Sequence, residues 1–294
     1  PRLHVAEDTV SDDRPIGLFD SGVGGLTVLR EVVRRLPAES TLYLGDNLRT
    51  PYGPRSDAEV RRFSAECLDE LVARDVKAIV VACNTSSAVA LTHLRRRYAV
   101  PILGVVRPGA SAAALATRTR RVGVIATQAT VRSHAYFNAI KDENPFMEVY
   151  EHAPPELVPL VEAGLVEGPE VEAAVDRALE PLFGERDGAG EFVFPLPAAE
   201  RIDTLLLGCT HYPLLRDTIE RAAGSQIAVI DSASASASAL ADLLDMSDLA
   251  ATEGSSPGHV QLTTGDVALF TRTTERLFGS LLLQVEGVAL AGAA

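Results

Sequence analysis

Leu205-Leu206-Leu207-Gly208-Cys209-Thr210-His211-Tyr212-Pro213-Leu214-Leu215 decides how the chain is read: an apolar run stops at a glycine and delivers a thiol, a hydroxyl and an imidazole where a buried strand ends. Ala78-Ile79-Val80-Val81-Ala82-Cys83-Asn84-Thr85-Ser86-Ser87 repeats the pattern, an aliphatic strand followed by Cys, a polar residue and a helix start. Two of the three cysteines therefore occupy equivalent positions.

Outward from these stretches the chain alternates strand and helix. Pro15 to Asp20 predicts a short strand, Asp20-Ser21-Gly22-Val23-Gly24-Gly25 a glycine-rich turn, and Leu26, Leu29, Val33 and Leu36 the apolar face of a helix. Thr41–Gly45 predicts a strand and Asp46–Pro54 a loop, because two prolines and a glycine deny it regular hydrogen bonding. Ser56–Ala73 reads as an amphipathic helix with a Ser56/Glu59 capping box. A helix is expected from Cys83 to Tyr98, a strand over 101–106, a loop at Arg107-Pro108-Gly109, then an alanine-rich helix to Thr117. The pattern restarts at Arg121–Thr127, followed by helix 131–141, a strand at 148–150, and helices near 156–163 and 171–182. Residues 184–199 form a polar connection, a surface loop or a hairpin through Phe192-Val193-Phe194. After the Cys209 stretch come a helix over 213–222, a strand at 227–230, a helix start in the Ser/Ala-rich 231–239, a strand at 260–263, a helix at 267–278 and a last strand near 282–288.

Such alternation argues for an α/β fold of two pseudo-symmetric αβα domains with mainly parallel sheets. The expected division is a flexible extension over 1–13, a first domain of 14–106 plus 217–294, and a second of 107–216. A length of 294 residues suits two ordinary cores, since single cores stop growing near roughly 250–300 residues.

A net charge of −13 argues against a nucleic-acid surface, which needs clustered Lys and Arg, and favours a small polar metabolite. Only Lys77 and Lys141 supply ammonium groups, and neither is placed for a Schiff-base cofactor. Cys67, Cys83 and Cys209 lack disulfide spacing and no apolar segment precedes residue 15, so a reducing cytoplasmic setting is expected. No apolar run approaches the roughly 18 residues of a membrane span.

In open α/β sheets ligands bind beyond the carboxyl ends of strands, where Asp20, Cys83, Thr127 and Cys209 would lie. A thiol near a helix N-terminus gains thiolate character and becomes a usable base or nucleophile. Asp20 is a candidate partner for Cys83, and His211 for Cys209, while Cys67 reads as a small buried hydrophobe. The turn at 20–25 lacks both the GxGxxG order and a P-loop lysine, so a carboxylate-binding turn competes with a phosphate cradle. Zinc on Cys83, Cys209, His211 and Asp20 is the other reading, weakened by the absence of paired ligand spacing. Taken singly, Pro51-Tyr52-Gly53 is an ordinary turn and Glu162 a solvated helix charge.

Taken together, GLFDSGVGGLTVLR (17–30), GDNLRTPYGPRS (45–56), VVACNTSSA (80–88), GVIATQAT (123–130), LVPLVEAG (157–164) and LLLGCTHYPLL (205–215) resemble glutamate racemase, within the cofactor-independent aspartate/glutamate racemase group. The resemblance covers about 15–278 and implies a two-domain fold with the active site at the domain interface, interconversion of L- and D-glutamate, D-glutamate supply for peptidoglycan and no cofactor; with nucleic-acid and membrane partners already excluded by charge and hydropathy, the expected partner is a second copy in a homodimer. It assigns proton transfer to Cys83 and Cys209, assistance to Asp20, His211 and Glu162, and substrate holding to Ser21, Tyr52, Gly53, Asn84, Thr85, Thr127, Thr130 and Thr210 through hydroxyls and backbone N–H groups. The chemistry suits the residues independently, because inverting an α-carbon needs one base on each face. Arg107, Ala126 and the length of 184–199 depart from the family pattern. A racemase for aspartate or another acidic amino acid, and a non-catalytic zinc- or anion-binding regulatory module, are the alternatives.

Overall fold

Every strand pairing in the two sheets is parallel, and each sheet is built around a strand flanked by the next two in sequence. The computed structural model describes residues 11–186, 192, 197, 200–252, 254–279 and 284–290. In the first half β1 (Ile16–Asp20), α1 (Leu26–Arg35), β2 (Thr41–Gly45), α2 (Asp57–Ala73), β3 (Ala78–Val81), α3 (Asn84–Val89), α4 (Leu91–Arg97) and β4 (Ile102–Gly104) follow in order. Next come α5 (Val106–Ala116), β5 (Arg121–Ala126), α6 (Gln128–Ser133), α7 (Ala135–Glu143), β6 (Glu148–His152), α8 (Leu157–Glu162), α9 (Pro169–Phe183) and β7 (Thr204–Gly208). After a 3-10 turn at Tyr212–Leu215 come α10 (Arg216–Ala223), β8 (Ala228–Asp231), α11 (Ala233–Met246), β9 (His259–Thr263), α12 (Val267–Phe278) and β10 (Val285–Gly287). The six-stranded sheet has the order β10-β9-β2-β1-β3-β4, the four-stranded one β6-β5-β7-β8.

Successive side chains of a strand point to opposite faces, and both faces of the inner strands β1, β2, β3, β5 and β7 are covered, which is why these are largely apolar, whereas the outer β6 (EVYEH) and β10 (VEG) carry charge and are partly exposed. Phe19, Leu42, Leu44, Ile79 and Val81 pack under α2, whereas Ile16, Leu18, Tyr43 and Val80 pack against Leu26, Leu29 and Val32 of α1 and Leu240 of α11. The smaller sheet repeats this: Val122, Val124 and Leu206 meet α5 and α7, and Ile125, Leu205 and Leu207 meet α8–α10. Each fully buried aliphatic side chain contributes about 1.5–3 kcal/mol.

Several boundaries differ from expectation. The helix after Cys83 breaks at Ala90 into α3 and α4, α3 being built from Asn, Thr, Ser, Ser, Ala and Val, mostly poor helix formers. The helix expected over 131–141 starts at Gln128 and is divided by His134, which adopts the left-handed conformation at φ 52°. Arg107 and Pro108 lie inside the first turn of α5, where proline has no intrahelical hydrogen bond to lose. The return to the first sheet, expected after residue 216, comes only after Asp231: β8 pairs with β7, since the short α10 turn returns the chain beside the strand it left. Of the extension expected over 1–13, residues 1–10 lie outside the described residues; Asp12 N–H donates to the Ala250 carbonyl, and Ser11 and Asp13 bond to Thr252. Val193, Phe194, Leu282 and Leu283 are also outside them; Phe192 pairs with Arg186 in an isolated bridge.

Candidate active site

The order of the strands puts a change of winding direction between β1 and β3 and another between β5 and β7, so Asp20, the last residue of β1, and Cys83, Thr127 and Cys209, just past β3, β5 and β7, stand at the two switch points. On the first sheet Asp20 is fully buried, and its Oδ2 accepts the backbone N–H groups of Gly22 (3.1 Å) and Gly25 (3.0 Å). Burial raises its carboxyl above the usual range, the His211 charge and those two N–H groups opposing. Cys83 caps α3: its sulfur accepts the Ser86 N–H at 3.4 Å and its thiol donates to Ser21 Oγ at 3.6 Å. Burial first, then the Asp20 charge, push this thiol up to about 11. No hydrogen bond joins Asp20 to Cys83 among the described contacts; Oδ1 instead accepts from Thr210 Oγ1 at 3.3 Å, so Asp20 acts on Cys83 through charge and ties the two sheets together.

The second thiol has a closer partner. Cys209 Sγ lies 3.7 Å from His211 Nδ1, and His211 Nε2 lies 2.5 Å from Glu162 Oε1, making a chain of three groups from β7 to α8. Burial alone would lower the imidazole, but its hydrogen bonds to Cys209 and Glu162 outweigh that and hold it well above its ordinary value. Glu162, an unremarkable helix charge when taken alone, is thus joined to a residue 49 positions away.

The glycine-rich turn is shaped to receive this chain. A Cβ on Gly22 would stand 2.6 Å from Glu162 Oε1, and one on Gly24 2.7 Å from His211 Nδ1 and 2.5 Å from Thr210 Oγ1. The turn of the first sheet is therefore the mould into which Thr210, His211 and Glu162 fit, a use of glycine for close approach and not for a phosphate.

Polar groups from both sheets complete the cleft. Thr85 Oγ1, in the first turn of α3, lies 2.8 Å from Thr127 Oγ1, which caps α6 and is 3.0 Å from Thr130 Oγ1. Gly53 leans on Thr127, where a Cβ would meet the Thr127 Cβ at 2.9 Å, and its carbonyl accepts the Ala129 N–H. Tyr52 does not offer its hydroxyl to a ligand: the ring is buried between Phe19 and Phe63 and the hydroxyl donates to Asp46, leaving only backbone for substrate contact. Asn84 Nδ2 donates to the Tyr136 hydroxyl at 2.6 Å. Neither Ser86 nor Tyr136 was among the expected site residues; the first is visible as a helix N3 position, the second carries no sequence signal beyond an aromatic on a helix. Ala126, one departure from the family pattern, faces Gly208 across the sheet, which gives its methyl room. Arg107 forms an exposed pair with Asp142 at 2.9 Å, remote from both thiols in its contacts.

Among the described residues no three His, Cys, Asp or Glu side chains gather as metal ligands would. A cavity of about 420 Å³ adjoins the Gly53–Thr127 contact, walled by Pro51, Pro154, Val158, Pro159 and Tyr212. Two buried thiols, one beside a protonatable imidazole and one capping a helix, surrounded by hydroxyls and amides, make a site equipped for proton transfer to and from a small polar molecule.

Residues 16–240 match the model of the Asp/Glu/Hydantoin racemase family. The chain is 41% identical to the glutamate racemase of Oceanobacillus iheyensis over 266 residues, 90% of this chain and 92% of that one. A crystal structure of a glutamate racemase isoform from Bacillus anthracis superposes with a TM-score of 0.86 at 40% identity, covering 94% of this chain and 98% of the other. The glutamate racemase of Francisella tularensis in complex with D-glutamate gives 0.83 at 32% identity, covering 95% and 98%.

Proposed function

Since this chain belongs to the Asp/Glu/Hydantoin racemase family and is an amino-acid racemase of the glutamate racemase group, we propose that it interconverts L- and D-glutamate by moving the α-proton between Cys83 and Cys209 without a cofactor. The single observation that carries the mechanism is the placement of those two thiols at equivalent switch points of two facing sheets.

With L-glutamate, Cys209 as thiolate takes the α-proton from one face and the Cys83 thiol delivers its own to the other. The C–H bond broken and the C–H bond formed share one carbon, and the enzyme is left with Cys83 as thiolate. D-glutamate reverses the roles. His211, held positive by its contacts with Cys209 and Glu162, stands 3.7 Å from the Cys209 sulfur, facing the atom that exchanges the proton. Cys83 starts protonated: at a value of about 11, its ionisation at pH 7 costs about 5 kcal/mol. The reverse direction therefore needs help at Cys83, which the ammonium of bound substrate supplies as a nearby positive charge. Asp20 opposes ionisation of Cys83 by its charge when ionised, and as a neutral acid it removes that opposition.

Substrate is held by Ser21, Asn84, Thr85, Thr127, Thr130 and Thr210 and by the Tyr52–Gly53 backbone. Carbanion charge is stabilised by preorganised donors in a water-poor cleft, which needs no Arg or Lys. The setting that follows is the cytoplasm, with a homodimer as the working form and D-glutamate for peptidoglycan as the product's use. L-Glutamate incubated with the pure protein in D2O, with nothing added, should yield D-glutamate deuterated at Cα; absence of exchange would sink the proposal. The same assay with L-aspartate decides between glutamate and a second acidic amino acid.

A further inference from the structure

The contact between Asn84 and Tyr136 spans the two sheets and has no part in the proton transfers. Asn84 follows Cys83 on α3 and is 2% exposed; Tyr136 lies on α7 and is fully buried. The tyrosine ring is held by its surroundings. A Cβ on Gly208 would lie 2.8 Å from Tyr136 Cε2, and one on Gly109 3.5 Å from Cε1, so the residue before Cys209 is glycine where the ring needs the space. The phenol oxygen is shared between Asn84 and Ser232, and burial pushes its ionisation up, so the hydroxyl stays neutral in ordinary buffers.

A carboxamide has a donor end and an acceptor end, and here they differ. Nδ2 is committed to Tyr136, whereas Asn84 Oδ1 is buried without a hydrogen-bond partner. An unpaired buried carbonyl oxygen costs on the order of 1–3 kcal/mol, which a ligand N–H removes on binding. Turning the amide over would satisfy the carbonyl at Tyr136 and aim an NH2 at the ligand, the wrong polarity for an ammonium and the right one for a carboxylate.

We propose that Tyr136 is a positioning residue that fixes the Asn84 amide so that its carbonyl accepts a hydrogen bond from the α-ammonium of the substrate. This rests on the reading of Asn84 as a substrate-holding residue. The chemistry recognised is a primary ammonium beside a carbanion centre, so the contact discriminates amino acids from the corresponding unsubstituted diacids.

The test is a double-mutant cycle of Tyr136→Phe and Asn84→Ala, with KM and kcat for both enantiomers and with inhibition by glutarate, which keeps both carboxylates and lacks the ammonium. Tyr136→Phe should raise KM about tenfold, the worth of one hydrogen bond, with a smaller change in kcat. In the Asn84→Ala background it should add nothing, and glutarate inhibition should be unchanged in every variant. A structural role for Tyr136 would weaken glutarate and glutamate alike and add to the effect of Asn84→Ala, and either result overturns the proposal. Unchanged KM in Asn84→Ala refutes the substrate-holding reading itself, whereas a raised KM there with an unaltered Tyr136→Phe refutes the positioning role alone. Ser232→Ala, which removes the other hydrogen bond to the phenol, supplies the same readouts if Tyr136→Phe does not fold, with a KM increase for glutamate and none for glutarate expected.

Discussion

Replacing Gly24 by alanine should disable the Cys209 half of the site without touching a reacting group. The new methyl would lie 2.5 Å from Thr210 Oγ1, 2.7 Å from His211 Nδ1 and 2.8 Å from His211 Cε1, all closer than real Cβ contacts. Reaching ordinary contact at 3.4 Å requires Nδ1 to retreat by about 0.7 Å. The imidazole has no free direction, because Glu162 holds Nε2 at 2.5 Å and Nδ1 is already 3.7 Å from Cys209 Sγ, the long end of a sulfur hydrogen bond. The sulfur contact is what breaks. Misplacement on this scale costs up to about a hundredfold in rate, so kcat/KM should fall roughly ten- to a hundredfold. Enantiomers in water are equal in free energy, hence kcat/KM must fall equally in both directions and cannot by itself reveal which thiol was injured. The diagnostic is the substrate isotope effect: under the proposed mechanism, in which Cys209 takes the label from L-glutamate deuterated at Cα, it should rise for that enantiomer and fall for the D enantiomer. Gly258, where a Cβ meets nothing within 4 Å, is the control for a bare Gly→Ala change. Unchanged kcat/KM, or isotope effects that move together, would refute the reasoning.

Glu162→Gln should lower kcat/KM about tenfold or more, since the bond from His211 then ends on a neutral amide and the imidazolium loses its counter-charge. Its stability cost has a defined pH window: His211 is held above its ordinary value of 6.5, so the pair's contribution is complete below that value and fades as pH rises through the raised one. Melting temperatures of wild type and variant should therefore differ most in mildly acid buffer and converge in alkali. Cys83→Ser and Cys209→Ser should each cost roughly 10²–10⁴-fold in both directions, while Cys67→Ala, a change within the core under α2, should leave turnover unchanged in a coupled or polarimetric assay. Lys77→Met should destabilise by about 3–5 kcal/mol in urea titration, because it strands buried Glu39, whose carboxylate lies 2.5 Å from the ammonium, and it should leave KM unaltered.

The legible parts of the structure were those that local chemistry dictates. Apolar runs ending in Cys83 and Cys209 announced buried strands, and Ser56 with Glu59 announced a capping box that forms as expected. What depended on distant partners was not legible. Nothing near Tyr52 says that its hydroxyl is taken by Asp46, nor near Asp20 that its free oxygen reaches Thr210, 190 residues away, and not Cys83. Sheet membership of β8 follows from which edge of β7 stands open, a tertiary fact. The interruption at His134 is a left-handed residue without glycine, which propensity does not foresee.

The six-stranded sheet is assembled from the two ends of the chain, whereas the four-stranded one is contiguous. During synthesis the strands following β4 can complete their own layer while β2 still presents a bare row of backbone donors and acceptors, because its outer neighbour β9 begins only at His259. An uncovered strand edge is a site for pairing with other chains. The segment from His259 to Gly287 thus serves the nascent protein as a protective selvage, and truncation before residue 259 would leave a folded half joined to an adhesive one.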